Sequence, residues 1–234
     1  MVLNVLFTNA VSVENLMKAT TIFLFLSILV LAFTTAPAFA DNITIQNASF
    51  EMRNDLNFPC GTGCAYNNGP IPDWTTTGGQ QGSWQPSSAY FSSPVPDGSL
   101  VAYSNGGTIS QTLSDSLLAN TLYTLSVALG NRFDVISNNL ATTYLIQLFA
   151  GNTLLNSITG SNALITPGTF MDVSFNYLSG ATLPAGNLSI VLSSVGPQSD
   201  FDNVRLTATS VAEPGSLTLL AAGLGLALFV FRRR

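Results

Sequence analysis

The chain has 234 residues, 47% of them hydrophobic and only 8% charged, with seven basic residues against twelve acidic ones and no histidine. A net charge of −5 offers no basic surface to neutralise phosphates, which excludes nucleic acid as a partner. Without histidine there is no Ser-His-Asp or Cys-His nucleophile and no histidine-bound zinc, and residues 41–210 also lack a lysine for a Schiff base. Any catalysis in that region rests on Asp, Glu, Tyr or backbone groups.

In chain order, the first feature is an apolar run over residues 21–33, preceded by Lys18 and followed by Ala36-Pro37-Ala38-Phe39-Ala40. A basic residue, a short apolar core and small residues ending in Ala38-Phe39-Ala40 predict a secretory signal over residues 1–40, cleaved after Ala40. Met17 is the expected start, because residues 1–16 carry Glu14 and no basic residue. A membrane anchor is the alternative use of the same run.

Residues 41–210 make one domain's worth of chain, with Arg53, Arg132 and Arg205 against Glu51 and nine aspartates. Apolar residues alternate or cluster in short runs, punctuated by Gly, Pro, Asn and Ser. The pattern predicts strands over 42–51, 89–92, 99–104, 108–113, 122–129, 143–150, 153–157, 170–178, 187–193 and 201–208, with one short helical turn over 114–119. Gly151-Asn152 marks a two-residue hairpin. Short strands without βαβ alternation predict an all-β fold, an antiparallel two-sheet jelly-roll sandwich.

Residues 52–85 fit no strand well and hold Cys60, Cys64, Trp74 and Trp84. In an exported protein, Cys60-Gly61-Thr62-Gly63-Cys64 predicts a disulfide closing a small loop. Two thiols without other Cys or His fall short of a four-ligand metal site, the competing use. The last strand carries Asp200 and Asp202, residue types that strands disfavour. Simple alternation places Asp202 with Val204 and Leu206 on the core face, where a lone charge is costly unless paired or metal-bound.

Residues 211–234 run from Ala212-Glu213-Pro214-Gly215 through an apolar stretch to Arg232-Arg233-Arg234. A helix over 216–231 would be about 24 Å long, enough to span a bilayer only with snorkelling arginines. This tail resembles the PEP-CTERM sorting signal, departing from it at Ala212, where that signal has proline. The resemblance implies processing by an exosortase-type membrane protease and delivery to the cell surface or exopolysaccharide matrix. A plain tail anchor is the alternative.

Three stretches carry a second resemblance: Asn47-Ala48-Ser49-Phe50-Glu51, Ile71-Pro72-Asp73-Trp74 and Asp200-Phe201-Asp202-Asn203-Val204-Arg205-Leu206. Pro96-Asp97-Gly98-Ser99-Leu100-Val101-Ala102-Tyr103, Thr108-Ile109-Ser110-Gln111 and Leu122-Tyr123-Thr124-Leu125-Ser126-Val127 extend it. Together they are similar to carbohydrate-binding-module jelly rolls. That likeness implies a structural Ca2+ between the first and last strands, held by Glu51 and Asp202 with backbone carbonyls. Asp97 is a turn residue of Pro-Asp-Gly and a lesser ligand candidate.

The same scaffold resembles the calcium-dependent Stig cyclases, exported cyanobacterial enzymes that rearrange and cyclise indole-isonitrile terpenoids. That likeness implies Asp200 as proton donor, with Tyr103 and Phe133 as walls of an aromatic pocket. The reading preferred from the sequence is nevertheless non-enzymatic: an exported surface or exopolysaccharide-associated protein, with Asp200 a surface or loop carboxylate. Its partner would be polysaccharide or extracellular matrix, bound on platforms drawn from Trp74, Trp84, Tyr90, Tyr103 and Tyr144. Stig-like acid catalysis is the alternative.

Overall fold

The computed structural model describes residues 40–53, 55–134, 142–211 and 223. The expected signal region, apart from Ala40, and the expected sorting helix, apart from Gly223, lie outside the described residues. Among the described residues, no helix is long and apolar enough to cross a membrane.

Strands alternate an apolar and a polar face, and here two antiparallel sheets press their apolar faces together. One sheet contains β1 (Ala40–Ile43), β2 (Phe58–Gly61), β3 (Cys64–Tyr66), β5 (Gln80–Gln85), β6 (Val101–Asn105), β8 (Thr121–Asn131), β11 (Thr169–Leu178) and β13 (Ser199–Ser210). Its order is β11-β8-β13-β6-β5-β3-β2, with β1 pairing β13 beyond the end of β6. The second sheet contains β4 (Thr75–Thr77), β7 (Thr108–Ser116), β9 (Thr143–Ala150), β10 (Thr153–Ser161) and β12 (Asn187–Val195), in the order β10-β9-β12-β7-β4.

The main core lies between these sheets. Tyr123, Leu125, Val127 and Leu129 come from β8, Ile146 and Leu148 from β9, and Leu188, Ile190 and Leu192 from β12. Period-2 spacing puts each set on one face, and each such side chain is worth about 1.5–3 kcal/mol when fully buried.

Several boundaries differ from the sequence reading. The first strand stops at Ile43; Asn47 and Phe50 then take positive φ (48° and 60°), turning the chain under Trp74 instead of extending it to Glu51. Asn47 holds this turn by donating to Pro72 O (2.8 Å) and accepting from Met52 N (2.9 Å). Residues 89–92 form a turn, and 114–116 continue β7 instead of turning helical. Residues 52–85 contain four short strands, β2 to β5, of three to six residues each, too short to display a period of alternation. A 3-10 turn, Asn162–Leu164, went unpredicted.

The decisive departure is in β13. Its register with β8 shifts between Asp202 and Arg205, and Asn203 sits at φ 46°. One extra residue reverses the alternation, as a β-bulge does. Phe201 therefore faces the main core together with Val204, Leu206 and Ala208, and Asp202 does not share their face. Asp200 and Asp202 point instead to the outer side of the larger sheet, where Gln198 bonds the first and the Asp97 amide the second.

Candidate functional site

A second apolar cluster lies on that outer side: Cys64, Trp84, Phe91, Val101 and Tyr103, with Cys60, Tyr66, Tyr90, Val95 and Phe170 packed against it. Cross-strand register assembles it. Trp84 stands opposite Val101, Tyr103 opposite Gly82, and Asp200 is paired with both Tyr103 and Gly130. The missing side chain at Gly130 admits the stacked rings of Phe91 and Phe170, since a Cβ there would lie 2.7 Å from Phe170. Gly82 likewise admits the Asn67-Asn68 turn, because its Cβ would fall 1.9 Å from Asn67 O.

Next to this cluster is a cavity of about 360 Å³, with Tyr66, Trp84, Tyr90 and Tyr103 as its aromatic walls and Arg132 and Gln198 on its polar side. The Cys60–Cys64 disulfide forms, with a Cα–Cα distance of 5.0 Å, and the β2–β3 hairpin it ties is one side of the cavity. Trp84 Nε1 donates to Cys64 Sγ (3.3 Å) and Tyr90 OH to Cys60 O (3.3 Å), so the aromatic walls are anchored on the crosslinked loop. The Tyr103 hydroxyl donates towards Asn67 O (2.8 Å) and Asn68 Oδ1 (2.5 Å). Burial, and then Tyr66, push its pKa to about 12, so it is a proton-holding donor at neutral pH.

Arg132 ends β8's run into the cavity. Its guanidinium lies 4.8 Å from the ring centres of both Trp84 and Tyr90. Nε and Nη2 donate to the two oxygens of Asp134 (2.9 and 2.5 Å), and Nη1 donates to Gln198 Oε1 (2.5 Å). Gln198 Nε2 in turn donates to Asp200 Oδ1 (2.6 Å). Burial alone would weaken the arginine's charge, but Asp134 and then Asp200 outweigh it and hold the pKa above the ordinary value.

Asp200 is 1% exposed, and its Oδ2 is buried without a hydrogen-bond partner. It stands immediately behind Gln198 and Tyr103 and is not part of the cavity surface. Burial raises its pKa to about 6; Arg132 and the Gln198 amide pull against that rise, and Asp134 adds to it. The expectation of a surface or loop carboxylate is corrected: the inner strands β6 and β8 flank Asp200, which shuts out water.

The other expected residues are distributed as follows. Trp84, Tyr90 and Tyr103 converge on the cavity. Trp74 is buried in the main core, 5.2 Å from the Phe50 ring and bonded through Nε1 to Asn47 O (3.1 Å); Tyr144 is buried there too. Neither presents a face to a sugar. Phe133 is 40% exposed and covers Gly168, apart from the cavity lining. Arg132, Gln198, Tyr66 and Asn68 were missed by sequence reasoning. Arg132 alone carried a signal, as one of three arginines in 41–210 and the one closing a long apolar strand.

Glu51 and Asp202 meet across the Pro96–Ser99 turn. Asp97 N donates to Asp202 Oδ2 (2.9 Å), while Ser99 N and Leu100 N donate to Glu51 Oε1 (2.7 and 2.6 Å). A Cβ on Gly98 would strike the Glu51 carboxyl, so only glycine lets this turn close. Burial raises the Asp202 pKa to about 7; the amides of Asp97 and Asn203 oppose the rise, and the charges of Asp97 and Glu51 add to it. Among the described residues, no three His, Cys, Asp or Glu side chains are grouped to hold a metal ion. What the turn brings together is a pair of carboxylates, Glu51 and Asp202, each accepting from backbone amides. That donor set suits a hard cation completed by carbonyls and water.

The model of the HpiC1-like family, described as HpiC1 cyclase, matches residues 41–207. The chain belongs to this cyclase family. An apo cyclase from Fischerella sp. aligns at 26% identity over 75% of this chain and 98% of its own, with a TM-score of 0.61. A Fischerella sp. TAU cyclase in complex with 4-(1H-indol-3-yl)butan-2-one aligns at 28% identity over 74% and 100%, with a TM-score of 0.59. A Stig cyclase of Fischerella sp. TAU in complex with (3Z)-3-(1-methyl-2-pyrrolidinylidene)-3H-indole aligns at 27% identity over 75% and 100%, with a TM-score of 0.60. No curated protein sequence matches the chain. The family match overturns the expectation of a non-enzymatic, carbohydrate-binding surface protein: the family consists of cyclases, and two expected sugar platforms are core residues.

Proposed function

We propose that this jelly-roll domain is a Stig-type cyclase that protonates and cyclises an indole-bearing, unsaturated substrate, with Asp200 as the acid. The observation that carries this reading is the buried Asp200 carboxyl, with a pKa of about 6 and an unpartnered Oδ2, beside a cavity walled by Tyr66, Trp84, Tyr90 and Tyr103. A carboxyl in that state is roughly one-tenth protonated at pH 7, far more than at the ordinary pKa of 3.8, which serves a general acid. The indole compounds held by the Fischerella relatives support the substrate class. In the step, the O–H bond of Asp200 breaks and a C–H bond forms on the substrate. The carboxylate left behind pairs with the positive charge formed on the substrate and recovers its proton when the cyclised cation loses one. Tyr103 and Trp84 shape the cavity and shield the cation from water.

Ca2+ belongs to the same reading, held by Glu51 and Asp202. When bound it supplies positive charge that keeps Asp202 ionised and pins the Pro96–Ser99 turn. The turn lies over the face of β13 that carries Asp200, so the ion would support the site without entering the reaction. Export, by the expected signal and PEP-CTERM-like tail with exosortase processing, completes the proposal.

The test is turnover of a prenylated indole isonitrile by the full chain with calcium, followed by product analysis. Cyclised product from the parent and a drop of about 10²–10⁴-fold in Asp200→Asn is expected. Equal turnover by both would refute Asp200 as the acid.

A further inference from the structure

The acid and the cavity are separated by a side-chain latch. Trp84 and Tyr90 meet edge to face, with ring centres 5.1 Å apart and 78° between their planes, so a planar indole would stack on one of the two, and the Arg132 guanidinium covers both at 4.8 Å. The same guanidinium holds Gln198 Oε1 (2.5 Å), and Gln198 stands between the cavity and Asp200, bonded to its Oδ1 at 2.6 Å. One group therefore occupies the aromatic slot and fixes the side chain that covers the acid.

We propose that Arg132 is a positioning residue that latches Gln198 over Asp200, and that an aromatic substrate opens the latch by displacing the guanidinium from Trp84 and Tyr90. This rests on the cyclase reading of the same cavity. Displacement from the rings need not break the two bonds of Arg132 to Asp134, which lies two residues along the chain. Once Arg132 has withdrawn, Gln198 loses the partner of its oxygen and is free to turn, uncovering the carboxyl. The acid is thus exposed only when an aromatic ring excludes water from the cavity, an arrangement that protects a carbocation-forming site from idle hydration.

The latch makes a prediction opposite to that for an ordinary contact residue: removing Arg132 strengthens aromatic binding. Calorimetric titration of the full chain with 4-(1H-indol-3-yl)butan-2-one compares the parent with Arg132→Met, Arg132→Lys and Gln198→Met. A cation–π pair of this kind is worth about 0.5–2 kcal/mol, so Arg132→Met should bind the probe about two- to thirtyfold more tightly. Arg132→Lys, lacking the planar stack, should fall between the two. Gln198→Met should also tighten binding, by a smaller factor, because the guanidinium loses one of its holds. A structural role predicts the reverse order, since a disturbed cavity binds less well. Unchanged or weaker binding in both Arg132→Met and Gln198→Met overturns the latch. Turnover by Asp200→Asn equal to the parent overturns the acid reading instead, and leaves the binding order to be judged separately.

Discussion

Asp200 on β13 and Tyr103 on β6 stand directly opposite one another in the antiparallel ladder, on the outer face of the larger sheet. Residues opposite in such a ladder share a face at about 4.5–5.5 Å between Cβ atoms. The pairing brings a buried carboxyl up behind an aromatic cavity wall, and the consequences of that burial can be measured.

The first consequence is a pH dependence of stability in the presence of a chelator. Folding raises the pKa of Asp200 from 3.8 to about 6 and that of Asp202 from 3.8 to about 7. A carboxyl with a raised folded pKa binds its proton more tightly in the native state. The penalty for ionising it is therefore absent below about pH 4, grows through the window up to the folded pKa, and is full above it. The melting temperature should rise as the pH falls from 8 to 5, with Asp200 contributing about 1.4 kcal/mol over that range and Asp202, whose folded pKa is higher, contributing more. Asp200→Asn should flatten part of the slope and a double change with Asp202→Asn most of it. A melting temperature that stays level from pH 8 to 5 would show that neither carboxyl is buried as described.

Calcium should reverse that behaviour at Asp202, because a bound cation favours its ionised form. Adding Ca2+ at pH 7 is expected to raise the melting temperature, by the equivalent of about 2.7 kcal/mol at a hundredfold excess over Kd. The gain should shrink below pH 6 as protons compete for Asp202. Glu51→Gln and Asp202→Asn should each abolish it, whereas Asp172→Asn, on the exposed pair with Arg205, should leave it intact. Differential scanning calorimetry with and without chelator decides the matter, and a parent protein indifferent to calcium would remove the ion from the proposal.

Reducing the Cys60–Cys64 disulfide should loosen the cavity more than the fold. The bond closes a short loop at the edge of the larger sheet, so its loss should cost about 2 kcal/mol of stability. Trp84 and Tyr90 both bond to this cysteine pair, and the walls they form should lose their fixed spacing. A paired Cys60→Ser, Cys64→Ser chain should melt a few degrees lower and bind the indolyl ketone several-fold more weakly. Binding as strong as that of the parent would show that the hairpin is not a working wall.

Much of the scaffold was legible in the sequence. Alternation in 143–150, 170–178 and 187–193 identified β9, β11 and β12 because each puts one face in the core and the other outside it. Cysteine spacing predicted the crosslink, whereas Glu51 reaches the turn beside Asp202 through the loop after β1 and not by the strand extension expected to bring it there. Strands β2 and β3 escaped because an edge hairpin held by backbone bonds and a disulfide needs no apolar period, and β4 and β5 because three residues of threonine and the polar run Gln80–Gln85 show none.

The site itself belongs to the tertiary structure. Local sequence determined that Asp200 and Asp202 lie on one strand, and composition determined that acid chemistry had to come from a carboxyl or a phenol. The bulge at Asn203 decided which way the two aspartates face, by inserting one unpaired residue where simple alternation assumes none. Register across β5, β6, β13 and β8 then decided that Trp84, Tyr103, Arg132 and Asp200, far apart in the chain, share one outer face. Strand pairing is a long-range choice made by the whole sheet, and no short stretch of sequence contains it.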